Sequence, residues 1–141
     1  MNKFLSFLWI SLLFSCNSKP ANNDPKFRQY MVQGEQLYLT HCANCHQVNG
    51  TGLAQLYPPL HPSDFVDKRF PEVVCLIRFG ISGPMEVNQK IFNQPMPGIP
   101  QLSELEIAEI LTYIYNSNGR EKGLIEIRQI GVLLDSCKNQ K

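Results

Sequence analysis

Residues 40–47 read THCANCHQ, which sets two cysteines three positions apart and a histidine directly after the second. No other feature constrains the chain as much, because this spacing serves three different chemistries. Such a pair can act as a redox dithiol, supply half of a zinc site, or anchor a haem covalently while the adjacent imidazole binds its iron. The rest of the chain has to discriminate among them.

At 141 residues the chain is long enough for one hydrophobic core and not for two. The N-terminus has its own logic. Lys3 supplies a positive start, FLSFLWISLLF an apolar run, and Ser15 then precedes Cys16, the pattern of a secretory signal. The run is too short to span a bilayer comfortably. Leu13, Phe14, Ser15 and Cys16 resemble a bacterial lipobox, in which the cysteine is acylated and becomes the first residue of the mature protein; the alternative is an ordinary signal peptide cleaved nearby. NSKPANNDP follows, polar and rich in Asn and Pro, as a tether should be.

These features assign residues 1–15 to a lipoprotein signal peptide and 16–24 to a tether. They place the working domain outside the cytoplasm, on the periplasmic side and attached to a membrane through a lipid on Cys16, where disulfides are permitted. With Lys3 removed, twelve basic and twelve acidic side chains remain. That balance gives no support for nucleic-acid binding.

Asp24 followed by Pro25 is a helix start, with an N-cap oxygen and a first-turn residue that needs no donor. Phe27, Tyr30, Met31, Gly34, Leu37, Tyr38 and His41 then recur at helical spacing, so the cysteine motif is expected at a helix C-terminus. Residues 50–62 hold Gly50, Gly52, Pro58, Pro59 and Pro62 and cannot stay regular for long. A short helix fits Ser63 to Lys68. Pro71 can open another that carries Val73, Val74, Leu76 and Ile77 and ends at Gly80. Residues 80–100 read as a loop with room for one small hairpin. Ser103 and Glu106 form a capping-box pair ahead of Ile107, Ile110, Leu111 and Ile114, and a last helix carries Ile127, Ile130, Leu134 and Cys137. Leu133 and Leu134 are read as core cover.

The zinc reading needs a second paired cluster of ligands, and none is present; His41 and His61 read as packed or solvated. A thioredoxin-like dithiol is expected just after a strand, whereas here a helix precedes it. Haem attachment is the reading that remains: Cys42 and Cys45 reach two vinyl groups on one haem edge, and His46 swings beneath the ring to bind iron. Two covalent bonds hold the cofactor without a large cavity, which suits a domain of this size.

At this point the sequence resembles a class I cytochrome c domain, over about Asp24 to Gly119. Gly34 and Tyr38 stand before Cys42 where such cytochromes place a glycine and an aromatic. Pro58, Pro59 and Leu60 match the proline-containing loop at the haem edge, QPMPGIP the Met-Pro ligand loop, and LSELEIAEILTYIYNS the C-terminal helix. The resemblance implies an all-α class I cytochrome c fold around one covalent haem c, with the domain at 25–119 and an extra C-terminal helix within an extension at 120–141. It implies that the Pro58 carbonyl orients the His46 ring, and that Gly34 lets the C-terminal helix cross closely against Ile110 and Tyr113. One departure is NSNG, in which Asn118 replaces the family's aromatic.

The donor opposite His46 decides the function. Met96 and Met85 lie in the right region, and Met31 faces the core from the first helix. Met96 is preferred because Pro95 and Pro97 stiffen a loop that must hold a weak thioether on the metal; the alternative is a methionine that fills a gap beside the ring. Five cysteines, less two for haem and one for lipid, leave Cys75 and Cys137. In an oxidising compartment these suggest a disulfide, the alternative being two independently buried thiols.

Ligation by His46 and Met96 leaves no open iron position, so the expected activity is one-electron transfer in a respiratory chain, not catalysis. The expected partners are redox proteins: a reductase or dehydrogenase as donor, an oxidase or reductase as acceptor. Were Met96 not to bind iron, the rival would be a haem peroxidase or gas-sensing protein. A structural metal module without haem is a third class, disfavoured by the missing ligand cluster.

Overall fold

The computed structural model describes residues 24–138. The expected signal peptide, Cys16 and all of the tether except Asp24 lie outside the described residues. Helix α1 (Pro25–His41) starts where the Asp24 carboxylate accepts a 3.0 Å hydrogen bond from the Lys26 N–H, and it buries Phe27, Tyr30, Gly34 and Tyr38. Met31 and Leu37 are half-buried and His41 is exposed. The chain does not simply leave the helix at the cysteines. Cys42 caps α1 and starts a one-turn helix, α2 (Ala43–His46), so the motif is itself a helical turn.

Residues 50–62 are irregular, as their glycines and prolines dictate, apart from an isolated bridge between Leu53 and Tyr57. Ser63 Oγ then accepts the Val66 N–H at 3.2 Å and opens α3 (Asp64–Lys68). Helix α4 (Phe70–Phe79) begins one residue before Pro71 and ends on Gly80, whose φ of 72° favours glycine.

The expected hairpin is formed by β2 (Met85–Val87) and β3 (Lys90–Phe92), joined at Asn88 and Gln89, whose φ values of 51° and 62° suit a two-residue turn. Asn88 also locks the hairpin to α3. Its backbone N–H donates to Asp64 Oδ1 at 2.7 Å, and its Oδ1 accepts the Asp64 N–H at 2.9 Å. A second pairing qualifies the all-helical expectation: β1 (Gly80–Ile81) runs antiparallel to β4 (Met96–Pro97), with Ile81 opposite Met96.

Helix α5 (Glu104–Ile114) carries the expected capping box. The Ser103 N–H donates to Glu106 Oε2 at 2.7 Å and the Glu106 N–H to Ser103 Oγ at 3.2 Å. Ile107, Ala108, Ile110 and Leu111 are fully enclosed, so α5 is the central element. The segment after it is closed by Asn116, whose Nδ2 donates to the carbonyls of Thr112 and Gly123, while Asn118 takes a φ of 54°. Helix α6 (Ile127–Lys138) buries Ile130, Leu134 and Cys137, and a disulfide joins Cys137 to Cys75 of α4, their Cα atoms 5.8 Å apart.

The α1–α5 crossing depends on Gly34. A Cβ there would collide with the Glu109 carbonyl and meet the Tyr113 Cβ at 3.0 Å. The nearest backbone is thus that of Glu109, one residue before the expected Ile110, whose side chain fills the core instead. Tyr38 packs on Tyr113 one turn further along α1, ring centroids 5.4 Å apart.

Gly34→Ala should therefore destabilise the protein by about 2–3 kcal/mol in denaturant unfolding, because backbone and not a flexible side chain must yield. Ser103→Ala should cost about 1 kcal/mol at neutral pH. Hydrogen bonds from the Ser103 N–H and hydroxyl hold the Glu106 carboxyl below its usual range, so the part that the hydroxyl contributes through the carboxylate is present above the ordinary glutamate pKa and is lost as pH falls through the folded value, whereas the bond from the Glu106 N–H to Ser103 Oγ does not titrate. Unfolding midpoints of wild type and variant should accordingly draw closer in acid without meeting.

Candidate functional site

The site is built where α1 ends. The Cys42 N–H donates to the Tyr38 carbonyl at 2.8 Å, and the Cys45 and His46 N–H groups donate to the Cys42 carbonyl at 3.1 and 2.9 Å. Tyr38 secures the far side of the turn, its hydroxyl donating to the Gln47 carbonyl at 2.6 Å. One short helical segment thereby fixes both thiols and the imidazole.

His46 is buried, and its Nδ1 lies 2.9 Å from the Pro58 carbonyl oxygen. A carbonyl can only accept, so Nδ1 carries the proton and Nε2 is left with its lone pair free. Burial holds the imidazole pKa below its usual value, partly opposed by the Pro58 bond, which keeps the ring neutral and able to bind a metal.

The thiols of Cys42 and Cys45 are free and half-buried. Burial, reinforced by the neighbouring Cys45, pushes the Cys42 thiol up to about 12. A reactive dithiol needs the opposite shift. Among the described residues, no three His, Cys, Asp or Glu side chains gather into a metal-binding cluster, which removes the zinc reading.

Two apolar cavities meet at this turn. The first is walled by Cys42, Leu60, Val66, Val73, Ile77 and Ile114. The second is walled by Cys45, Tyr57, Ile81, Phe92 and Pro97. His46, Pro58, Met85 and Met96 line both. One cysteine thus faces each cavity, with an imidazole and two thioethers between them and no Asp, Glu, Lys or Arg in either wall. That donor set would suit a flat, largely apolar group, held by Cys42 and Cys45 through thioether links and by the His46 imidazole.

The same geometry matches what comparison with known proteins finds: a family model described as cytochrome c matches residues 31–118. The chain belongs to the cytochrome c family. It is 32% identical over 95 residues to a cytochrome c-552 of Thermus thermophilus, covering 64% of this chain and 72% of that protein. A second cytochrome c-552, from a particular strain of the same species, is also 32% identical over 95 residues, covering 64% of each chain. The cofactor is covalently bound haem c, with Cys42 and Cys45 in the attachment positions.

The structure brings Cys42, Cys45, His46, Pro58 and Met96 together around these cavities. Met85 shares both walls with Met96, whereas Met31 lines neither. Cys75 and Cys137 are bonded to each other and line neither cavity. Sequence reasoning did not single out Tyr57, Phe92 or the Val73–Ile77 face of α4 as cavity walls. The one-turn spacing of Val73 and Ile77 was a usable signal; Tyr57 and Phe92 had none.

A C42S/C45S double variant should lose all haem on denaturing electrophoresis followed by haem staining, whereas wild type should keep it. Retention of stain in the double variant would refute attachment at these two thiols.

Proposed function

We propose that this protein is an extracytoplasmic one-electron carrier that uses haem c ligated by His46 and Met96. The observation that carries this reading is that His46 and Met96 both line the two cavities flanked by the attachment cysteines. Haem c supplies an iron that cycles between ferrous and ferric states.

The chain's own residues do the rest. Pro58 holds the His46 ring in the tautomer that presents Nε2. Met96 is delivered from β4, which is pinned to β1 at the end of α4, so its thioether comes from a supported strand. With His46 and Met96 both holding the iron, no position would be left for a substrate, which favours electron transfer over peroxide or gas chemistry. Apolar walls keep water away from the donors.

The further assignments are also part of this proposal. Residues 1–15 are a lipoprotein signal, Cys16 is acylated, 16–24 tether the domain, 25–119 form it, and 120–141 add a helical extension to the class I fold. The carrier works between redox proteins of a respiratory chain on the periplasmic side of a membrane. The polar, Pro-containing segment after Cys16 and the family relationship support this arrangement.

Optical spectra test the ligation. Wild-type protein should be low-spin in both oxidation states, with a ferric sulfur-to-iron band that Met96→Ala abolishes. Survival of that band in Met96→Ala and its loss in Met85→Ala would transfer the role to Met85. A five-coordinate wild type would overturn the carrier reading. The anchor is tested by Cys16→Ser, which should release the protein from membranes with its spectrum unchanged.

A further inference from the structure

The charged residues of this chain are withheld from one face. No Asp, Glu, Lys or Arg occurs from Gln36 to Ser63, from Phe79 to Met85 or from Ile91 to Ser103, in a chain that is 18% charged. The fold brings these three separate segments to one place, the mouth of the cavity that Cys45 faces. Tyr57 comes from the first segment, Ile81 and Gly83 from the second, and Gln94, Pro95 and Pro97 from the third. Leu53, which bridges to Tyr57, and Leu56, just before it, are 45% and 46% exposed. Elsewhere charges are plentiful, and some are paired, as in Lys26 with Glu126 and Arg120 with Asp67.

We propose that this rim is the docking face for electron transfer and that it takes a redox partner whose own contact surface is uncharged and apolar. The inference rests on the carrier reading above and adds the chemistry of the partner. A partner presenting lysines or carboxylates here would strip water from them with no counter-charge in return, which disfavours it. An apolar partner loses no such solvation and gains the burial of Leu53 and Leu56. Encounter then proceeds without electrostatic steering, so salt, which screens charges over about 10 Å at 0.1 M, has little to act on.

Electron self-exchange between ferrous and ferric copies of the haem-loaded protein tests this, because the second copy presents the same uncharged face. Rates from NMR line broadening of mixed-oxidation samples should change by less than about twofold between roughly 10 and 500 mM NaCl. Gln94→Lys places like charges on both docking faces and should slow exchange about threefold to fivefold at the low salt concentration, with recovery at the high one. Arg128→Gln, a change of charge of equal size on exposed α6, should leave the rate within about twofold of wild type. A wild-type rate that shifts about tenfold or more with salt, or a Gln94→Lys rate equal to that of Arg128→Gln, would overturn the uncharged face while the carrier reading stands. A haem that does not cycle reversibly between oxidation states would overturn the carrier reading and this inference with it.

Discussion

Contact of the α1 and α5 backbones at Gly34 decides where the chemistry can be. With no Cβ there, the Glu109 carbonyl sits against α1, and one turn further on Tyr38 can pack on Tyr113 and still reach the Gln47 carbonyl. That hydrogen bond closes the turn carrying Cys42, Cys45 and His46. A bulkier residue at Gly34 would act at the site without touching it, because the end of α1 is where the thiols start. Covalent attachment tolerates little misplacement, since two sulfurs and one imidazole must all meet the same planar group.

The opposite wall depends on α4 in the same way. Its C-terminal glycine lets β4 come so close that a Cβ at Gly80 would strike the Met96 carbonyl, and the Ile99 N–H donates to the Ile77 carbonyl at 2.8 Å. The methionine loop is therefore carried on the helix whose Val73 and Ile77 line the first cavity. Helix α6 backs α4 through Ile130, Leu134 and the Cys75–Cys137 disulfide. The bond closes a loop of sequence separation 62, which restricts the unfolded chain more than a short loop would. Support thus runs from the terminal helix through α4 to Met96.

What was legible in the sequence was what local chemistry decides. Asp24 before Pro25, Ser63 before α3, and the Ser103–Glu106 pair each place a helix start, because a capping side chain satisfies N–H groups only two or three residues away. The cysteine–histidine turn was legible for the same reason. The pairing of β1 with β4 was not: it joins Gly80 to Pro97 and Ile81 to Met96 through two short strands with no alternating pattern, and it forms because Gly80 permits the approach. The identity of the residue facing Gly34 was set by the crossing angle and rotation of α5, which a periodic pattern leaves uncertain by a residue or so. Tyr57 and Phe92 became cavity walls only once the loop at 47–61 and the hairpin had been folded over the same turn.

The electrostatics of the site follow from one cause acting on groups of opposite sign. Walls without Asp, Glu, Lys or Arg disfavour net charge, so the Cys42 thiol is held in its neutral form and the His46 imidazole is held neutral as well. The same walls would penalise an added positive charge between them. A bound centre would carry one more positive charge when oxidised than when reduced, so these surroundings would favour reduction, in the direction that the proposed Met96 donor would also push. The apolar lining that excludes water therefore also biases the electron equilibrium.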